Sequence, residues 1–386
     1  MNIAILGFGT IGSGVYEIIE SKKSSYLYNT HVVKVLDLPQ NKDKLSIITS
    51  DINDIVNDKT IDLVVETMGG IHPAFEFITA CLKSGKHVVT ANKAVVAAHL
   101  SDFLECAKAN NVKFLFEASV GGGIPWLASI TKAKRIDAID HVYGIFNGTT
   151  NFILHSMYKD DKDFSEVLKL AQELGYAEAN PSADIDGYDV QNKIVISSAL
   201  AYNATIDMKE FPCFSMAKVS IDDVHYLKEK DMVIKYIGES KRIDNEYEAF
   251  VMPNVFAKDK VEANVNTNFN ICTLHGETIG DLKFYGQGAG KLPTANAIVQ
   301  DILDIESLDY AIRFDNKLMY NNEMLGNKFL LRSTKELKHE NIEKIELYNN
   351  KFYMYTKKLS TKDFMELAKQ VLYYDEEALI AKIADF

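Results

Sequence analysis

The stretch MNIAILGFGTIGSGVYEII, residues 1–19, decides the fold at the start of the chain. Its first six residues are apolar and partly β-branched, which predicts a short buried strand. The glycine turn GFGTIG, residues 7–12, follows at once, and Val15, Ile18 and Ile19 then recur at helical spacing. Strand, glycine turn and helix in this order are typical of a dinucleotide-binding turn. The alternative is a glycine turn without a ligand.

Each glycine of this turn has its own predicted role. Gly7 permits the sharp bend, Gly9 lets the backbone approach a pyrophosphate, and Gly12 allows the helix to pack closely. The helix N-terminus adds N–H groups and the positive end of the helix dipole. The predicted cofactor contacts therefore comprise the whole turn: Gly7, Phe8, Gly9, Thr10, Ile11 and Gly12.

Asp37 bears on the choice between the two nicotinamide dinucleotides. It follows the second predicted strand, residues 31–36. A carboxylate at this point hydrogen-bonds the ribose hydroxyls of NAD and repels the 2′-phosphate of NADP. Lys42 and Lys44 follow closely, and either could contact a phosphate or lie in solvent. The sequence favours NAD and leaves NADP open.

Length, composition and charge exclude several classes of protein. With 386 residues, 47% of them hydrophobic, the chain supports two or three packed cores. A net charge of −12 disfavours nucleic acid as a partner. No apolar stretch approaches the roughly 20 residues that span a bilayer, and no signal peptide precedes the first strand. We expect a globular protein of the cytoplasm without membrane contact.

The cysteines support the same compartment. The four cysteines are widely scattered and lack CxxC spacing, which predicts neither a zinc site nor a disulfide framework. Reduced thiols are the expected state in a cytoplasm. The residues are Cys81, Cys106, Cys213 and Cys272.

Strands and helices alternate over the first third of the chain. Strands are predicted at 61–67, 87–92 and 113–119, with helices at about 73–84 and 94–109. This order predicts right-handed βαβ units and a parallel sheet, with ligand-contacting turns after the carboxyl ends of the strands. Those turns supply further predicted cofactor contacts: Thr67, Met68, Gly69, Thr90 and Lys93.

The pattern changes in the middle of the chain. From about residue 144 to residue 285, helices mix with alternating stretches such as EYEAFVMPNVF, which predicts an antiparallel sheet with helices on one face. We therefore predict an α/β protein with a Rossmann-type parallel-sheet domain over residues 1–130, completed by about 286–315. An α+β domain is predicted over residues 131–285.

The C-terminal residues 316–386 predict a small α+β extension. KIELYNNKFYMYTKK has an Asn-Asn turn between alternating stretches and predicts a hairpin. TKDFMELAKQVL predicts an amphipathic helix that begins at a threonine cap.

Six motifs in this chain resemble the homoserine dehydrogenase family, in the family's order. The resemblance covers roughly the first 300 residues. It implies interconversion of L-homoserine and L-aspartate 4-semialdehyde with NAD or NADP, on the route to threonine, methionine and isoleucine. The motifs are GFGTIGSGV from Gly7, VVTANKA from Val88, EASVGGGIP from Glu117, GIFNGTTNFIL from Gly144, LGYAEANPSADIDGYDVQNK from Leu174 and GQGAGKLPTANAIVQDI from Gly286.

The resemblance assigns a catalytic pair to Asp189 and Lys193, and the chemistry of the residues agrees. Oxidation of a primary alcohol requires a group that takes the hydroxyl proton, and the reverse reaction requires an acid. Lys193 lies on a predicted helix, where burial would favour the neutral amine, and Asp189 lies one helical turn earlier. From spacing alone, an exposed ion pair on a helix is the alternative.

The resemblance implies further site residues. Glu178 matches a substrate-contacting glutamate, and Lys93 matches a lysine between the nicotinamide and the substrate. Gly288 would touch the cofactor, although packing alone explains a glycine there. Asn92 could be only a helix cap. The middle domain would hold the substrate site and the contact of a homodimer.

A sodium site is also implied by the resemblance. A glutamate side chain and neighbouring main-chain carbonyls would hold a structural monovalent cation. A glycine-rich turn without an ion is the alternative. The ligands would be Glu117, Val120, Gly122 and Ile124.

Other functions remain open from the sequence. Aspartate-semialdehyde dehydrogenase shares a metabolite but requires a thiolate nucleophile, and no cysteine here has a partner histidine in an obvious motif. A catalytically silent dinucleotide sensor would not need Asp189, Lys193 or Glu178. The C-terminal extension resembles part of a regulatory ACT module, but one helix is missing, which argues against feedback control by threonine.

Overall fold

The computed structural model describes residues 1–307 and 316–384, with the side chains of Lys42, Asp43, Glu306 and Ser307 outside the description. The described chain forms two compact units. Part of the predicted completing segment, residues 308–315, lies outside the described residues, as do residues 385–386 of the predicted extension. The first unit comprises Met1–Ile136, Val195–Ile206 and Gly286–Asp315, and the second comprises Asp137–Ile194, Asp207–Tyr285 and Asn316–Phe386.

A six-stranded sheet forms the centre of the first unit. Its strand order is β3-β2-β1-β4-β5-β6, and each neighbouring pair is parallel, as the alternating sequence pattern predicts. The strands, numbered along the chain, are β1 Asn2–Leu6, β2 His31–Leu36, β3 Ile48–Thr49, β4 Leu63–Glu66, β5 His87–Thr90 and β6 Phe114–Leu115.

Helices complete this unit and bury its apolar strands. Val15 and Ile19 of the first helix pack with Ile298 and Ile302 of a late helix in one core cluster, together with strand residues such as Ile5. The helices are α1 Thr10–Ser21, α2 Asn53–Val56, α3 Ala74–Lys83, α4 Lys93–Ala109, α5 Trp126–Ala133 and α11 Lys291–Ser307. Helix α11 lies late in the sequence but packs in this core, so it belongs to the first unit.

The second unit is built on a ten-stranded mixed sheet. Its path is β11-β10-β7-β8-β9-β16-β13-β15-β14, and β12 pairs with β9 beside this path. The strands are β7 Ile139–Ile145, β8 Met232–Ile243, β9 Glu246–Ala257, β10 Phe269–Gly276, β11 Gly280–Gln287, β12 Met319–Tyr320, β13 Lys328–Ser333, β14 Ile342–Tyr348, β15 Lys351–Thr356 and β16 Leu379–Ile383.

Six helices accompany this sheet. They are α6 Gly148–Asp160, α7 Phe164–Glu173, α8 Ser182–Ile185, α9 Tyr188–Tyr202, α10 Ile221–Lys228 and α12 Thr361–Tyr374, and the last residues of α9 belong to the first unit. The predicted fold class, a Rossmann-type parallel sheet with an α+β domain and a small α+β extension, is confirmed. The middle sheet is mixed because β12 and β16 run parallel to β9.

The C-terminal extension continues the sheet of the middle domain. Its last four strands stand in the order β16-β13-β15-β14, which is fourth, first, third and second when they are counted from β13. This is the order of a ferredoxin-like β-α-β-β-α-β unit whose first helix is absent, since residues 334–341 form a loop. Helix α10 packs on this part of the sheet, where the Tyr226 ring stacks on Tyr353 at 3.7 Å.

Two local predictions for the extension have different outcomes. The predicted hairpin is confirmed as β14 and β15, and Asn349 and Asn350 both adopt the left-handed backbone of a type I′ turn. The predicted threonine cap is wrong. The Oγ of Ser360 accepts from the Asp363 N–H, so Thr361 is the first helical residue. Among the described residues, no helix combines the length and hydropathy that a membrane crossing requires.

Candidate active site

The glycine turn lies directly after β1 and is held by neighbouring backbone. Gly7 has φ +92°, and its N–H donates to the Leu36 carbonyl at 2.8 Å. A Cβ at Gly12 would stand 2.0 Å from the Gly7 carbonyl oxygen, so the start of α1 approaches the turn too closely for any side chain. A Cβ at Gly9 would meet no atom within 4 Å. Packing therefore explains Gly12, whereas Gly9 faces open space.

The N-terminus of α1 is available to an anion. Gly9 is the N-cap residue and provides no side-chain acceptor, and the first turn of α1 contains no acid. Gly9 and Thr10 are exposed, while Phe8 and Ile11 are half-buried. The first N–H groups of a helix carry its positive dipole end and bind phosphate groups in this situation. The turn has the geometry that a pyrophosphate requires.

Asp37 lies beside this turn at the end of β2. Leu36 pairs with Leu6, which brings the carboxyl ends of β1 and β2 together. The half-buried Asp37 carboxylate accepts from the Leu38 N–H at 2.7 Å and from Asn41 Nδ2 at 3.0 Å. Lys44 is exposed. The carboxylate is thus held in place at the carboxyl end of β2, the strand beside β1.

Glu66, which sequence reasoning missed, organises the turns after β4 and β5. Its carboxyl group is fully buried and accepts from the Met68 N–H at 2.7 Å, the Gly69 N–H at 3.3 Å and Thr90 Oγ1 at 2.6 Å. Burial raises the pKa of Glu66, and these hydrogen bonds oppose the rise. Asn92 Nδ2 also reaches it at 3.4 Å. One side chain therefore joins both predicted cofactor turns.

The predicted contacts in these two turns lie around that carboxyl group. Thr67 Oγ1 donates toward the Gly7 carbonyl at 2.9 Å. Asn92 caps α4 by accepting from the Val95 N–H at 3.3 Å, which confirms the cap, and its amide also donates to the Gly70 carbonyl at 2.6 Å. Lys93 is the first residue of α4 and is half-buried. No sequence signal distinguished Glu66 from an ordinary strand residue.

The glycine-rich turn after Glu117 packs against a second turn of the same unit. The Glu117 carboxylate accepts from the Leu127 N–H at 3.0 Å and the Ala128 N–H at 2.6 Å, at the start of α5. A Cβ at Gly122 would lie 2.5 Å from the carbonyl carbon of Gly288, so the backbones are in close contact. The Ile124 carbonyl accepts from the Trp126 N–H at 2.7 Å.

Two buried carboxyl groups, those of Glu117 and Asp301, lie close together at this turn. Burial raises the pKa of Glu117 to about 7, against the hydrogen bonds from the α5 backbone. Asp301, which accepts from the Glu117 N–H at 2.8 Å, is also buried, and burial and the Glu117 charge raise its pKa. A buried carboxylate with neighbouring main-chain carbonyls is the oxygen donor set that a hard cation prefers. The residues present fit such an ion.

The second unit contains the predicted catalytic pair. Lys193 and Asp189 lie one turn apart on α9, and both are buried, at 7% and 3% exposed. Lys193 Nζ donates to Asp189 Oδ2 at 2.7 Å and to the Phe146 carbonyl at 2.6 Å. The alternative of an exposed ion pair is wrong because the Phe146 backbone and the sheet enclose this face of α9. A Cβ at Gly238 of β8 would lie 2.4 Å from Ile194.

Asn147 and Asp184 extend this pair, and sequence reasoning assigned neither. Asn147 Nδ2 donates to Asp189 Oδ2 at 2.8 Å and to Asp184 Oδ1 at 2.7 Å. Its Oδ1 caps α6 by accepting from the Thr150 N–H at 2.8 Å. Asn147 lies within the motif GIFNGTTNFIL and Asp184 within LGYAEANPSADIDGYDVQNK. Their place in these motifs was the sequence signal that could have identified them. The group places two carboxylates and an ammonium around one amide.

Glu178 lies in the segment between α7 and α8 and is exposed. The segment is attached to α6, since Thr149 Oγ1 donates to the Tyr176 carbonyl at 2.6 Å. Gln172 Nε2 donates to the Glu178 carbonyl at 3.0 Å. The N-terminal residues of α6 therefore anchor both Glu178's segment and the buried pair.

Comparison with known proteins identifies the family of this chain. A model of the homoserine dehydrogenase NAD-binding domain matches residues 7–117, and a homoserine dehydrogenase model matches residues 125–303. The chain belongs to the homoserine dehydrogenase family. A homoserine dehydrogenase of Synechocystis is 39% identical over 316 residues, 79% of this chain and 73% of the relative. That of Bacillus subtilis is 34% identical over 314 residues, 79% and 72% respectively.

A solved structure extends the similarity to the whole chain. The crystal structure of a homoserine dehydrogenase from Thiobacillus denitrificans is 27% identical, with a TM-score of 0.88 over 100% of this chain and 98% of that chain. The chain is accordingly an NAD(P)-dependent oxidoreductase that interconverts L-homoserine and L-aspartate 4-semialdehyde in amino-acid biosynthesis.

Family membership decides against the other two functions. A silent sensor and an aspartate-semialdehyde dehydrogenase both disagree with the matched models. Two of the four thiols give independent support, because burial raises the pKa of Cys81 and of Cys213 to about 12. Such thiols are protonated at neutral pH and are poor nucleophiles.

The two glycine environments predict different variants. Gly12→Ala would force the turn apart, so we expect a lower thermal midpoint and NAD(P) binding weakened more than about tenfold. Gly9→Ala adds a methyl group to open space, so the midpoint should change by about 1 °C or less while binding still weakens about tenfold. Differential scanning fluorimetry and cofactor titration measure both. Wild-type affinity in Gly9→Ala would contradict a pyrophosphate at this turn.

Proposed function

We propose that Lys193 is the acid–base residue of homoserine oxidation and semialdehyde reduction. The observation that carries this proposal is the burial of its amino group against Asp189 and the Phe146 carbonyl. In oxidation, Lys193 Nζ, as the neutral amine, takes the proton of the substrate hydroxyl and becomes the ammonium. In reduction, it returns that proton to the aldehyde oxygen.

Asp189 and Asn147 position this amine. Asp189 Oδ2 holds Nζ at 2.7 Å, and the Asn147 amide fixes the same oxygen at 2.8 Å. The carboxylate stabilises the charged lysine that forms when the proton is taken. Burial strengthens this interaction, because the local dielectric constant is lower than that of water.

The substrate's ammonium group requires anionic acceptors, and two carboxylates are proposed for it. Glu178 stands on the exposed segment before α8, and Asp184 stands on α8 beside Asn147. Lys93, at the positive end of α4, supplies positive potential or assists proton movement. The roles of Glu178 and Lys93 follow the family resemblance, and the role of Asp184 follows from its hydrogen bond with Asn147.

The cofactor is proposed to lie along the carboxyl edge of the parallel sheet. Residues 7–12 would hold the pyrophosphate, Asp37 the ribose, and the turns joined by Glu66 the nicotinamide end. Gly288, whose backbone lies in close contact with Gly122, is a further proposed cofactor contact. When bound, the cofactor supplies the hydride acceptor for oxidation and the hydride donor for reduction.

The Lys193→Ala variant tests the proposed roles. We expect kcat to fall about 10²- to 10⁴-fold, while cofactor affinity changes less than about twofold because the glycine turn is untouched. The assay follows NADH and NADPH absorbance with homoserine and with the semialdehyde. Lys228→Ala is the matched control, since this exposed helical lysine also donates to a main-chain carbonyl, that of Tyr158. Retention of kcat in Lys193→Ala would exclude Lys193 as the acid–base group.

We propose NAD as the preferred cofactor because Asp37 follows β2, where a carboxylate hydrogen-bonds the ribose hydroxyls of NAD. Asp37→Ala should raise KM for NAD about tenfold, the value of one hydrogen bond to a charged group. KM for NADP should rise less, because removal of the carboxylate also removes its repulsion of the 2′-phosphate.

Asp51→Ala is the matched control for this variant. The Asp51 carboxylate accepts from the N–H and the Nδ2 of Asn53, both at 2.9 Å, and so resembles Asp37 in its local hydrogen bonds. Steady-state kinetics with both cofactors supply the comparison. An equal increase in KM for NAD and NADP would oppose the proposed preference.

A structural sodium ion is proposed at Glu117 and the carbonyls of Val120, Gly122 and Ile124. Burial raises the pKa of Glu117 to about 7, so without a cation this carboxyl favours its neutral form and costs stability as the pH rises toward 7. A cation binds the ionised form and offsets this cost. Sodium should therefore stabilise the chain more at pH 8 than at pH 6.

Thermal unfolding in sodium chloride and in choline chloride tests this site. At pH 8 the midpoint should be about 2 °C or more higher in sodium, and at pH 6 the difference should shrink. Glu117→Gln should abolish the difference. An equal sodium effect in Glu117→Gln, or none at pH 8, would place the ion elsewhere or nowhere.

The assembly and the compartment are also proposals. A homodimer formed through the middle domain follows from the family resemblance. The cytoplasm agrees with the four cysteines, all of which are free thiols.

A further inference from the structure

Residues 212–219, here named the connecting segment, lie along the outer edge of β9. The Phe214 N–H donates to the Val251 carbonyl at 2.8 Å, and the Val251 N–H donates to the Pro212 carbonyl at 3.0 Å. On the same edge, β12 pairs with the start of β9 and β16 pairs near its end. The connecting segment therefore fills the gap that these two strands of the C-terminal extension leave.

One side of the connecting segment holds α8. The Met216 N–H donates to the Ile185 carbonyl at 3.0 Å, and Ser215 Oγ donates to the same carbonyl at 3.1 Å. Cys213 Sγ lies 3.2 Å from the Asp186 carbonyl. These carbonyls belong to the residues directly after Asp184. The position of the proposed substrate carboxylate is therefore set by three contacts with the connecting segment.

The other side is held by the C-terminal extension. Arg332, next to the last residue of β13, is buried and donates from Nη2 to the Lys218 carbonyl at 2.7 Å. Its guanidinium also binds both oxygens of Asp223 on α10, at 2.8 and 2.9 Å, and the Glu377 carbonyl at 2.6 Å. The rings of Phe214 and Phe364 meet at 5.8 Å.

We propose that the C-terminal extension, residues 316–384, is a fixed brace for the substrate site and that Arg332 is its positioning residue. The extension lies beyond both regions that the family models match. Arg332 acts through the connecting segment on α8, and so on Asp184, without touching the substrate. This inference rests on the proposed assignment of the substrate site to Asp184, Asp189 and Lys193.

The chemistry of arginine explains how Arg332 can act as the positioning residue. A guanidinium presents five donors in a rigid plane, and here one plane reaches Asp223, Lys218 and Glu377 at the same time. Neighbouring strands fix that plane, since Arg332 pairs with Tyr353 of β15 and Leu379 of β16. A lysine retains the charge opposite Asp223 but cannot reproduce this fork. The substitution therefore separates positioning from charge.

Steady-state kinetics of Arg332→Lys test the brace. We expect KM for homoserine to rise about tenfold, with kcat and KM for the cofactor changed less than about twofold, because misplaced binding groups weaken the hold on the substrate alone. Lys328→Gln is the matched control, since Lys328 lies on the same strand and pairs with Glu343, away from the connecting segment. It should retain wild-type constants. Lys193→Ala, measured in parallel, reports separately on the proposed substrate site through kcat.

The outcomes separate a brace from a merely stabilising contact. A lower thermal midpoint with unchanged KM for homoserine would overturn the proposal, as would equal increases in KM for homoserine and cofactor. If Arg332→Lys does not fold, Phe214→Leu decides, because it removes only the ring contact with Phe364. Phe214→Leu should also raise KM for homoserine selectively, and wild-type KM in that variant would overturn the brace.

Discussion

The proposed substrate site depends on one buried electrostatic interaction, the pair that Lys193 forms with Asp189 at 2.7 Å. A single charge at this depth costs several kcal/mol, and each residue of the pair offsets part of the cost of burying the other. The pair is weak evidence for stability, because apolar side chains of similar volume would serve as well. The proposed role of the pair is to hold the Lys193 amine in a fixed position against the Asp189 carboxylate. The Asn147 amide fixes the carboxylate and links it to Asp184.

Buried carboxyl groups in the first unit do a different task. Glu66 and Glu117 each accept from two consecutive backbone N–H groups, those of Met68 and Gly69 and those of Leu127 and Ala128. N–H donors satisfy a carboxylate without a cationic partner and order the backbone that supplies them. These side chains therefore shape turns at the carboxyl edge of the sheet, whereas the role proposed for Asp189 is to position the Lys193 amine for proton transfer.

The features that were predicted from the sequence are those that depend on residues close together in the chain. The glycine turn and the Asp189–Lys193 pair follow from spacings of a few residues. Asn147 meets Asp189 across 42 residues, Glu66 meets Thr90 across 24, and β16 pairs with β9 through Lys382 and Asn254. No local pattern specifies such pairings, so these residues and the continuous ten-stranded sheet were not predicted. The misplaced cap has a simpler cause, since Ser360 and Thr361 are adjacent hydroxyl residues and spacing alone cannot choose between them.

The central claim is that Lys193 exchanges a proton with the substrate hydroxyl. A crystal structure of the chain with NAD(P) and homoserine tests it most directly. In that structure we expect the homoserine hydroxyl oxygen within hydrogen-bond distance of Lys193 Nζ, about 2.6–3.2 Å, with Asp189 still bound to the same amine. A substrate bound with its hydroxyl on another protein group, and Lys193 still enclosed by Asp189 and Phe146 alone, would contradict it.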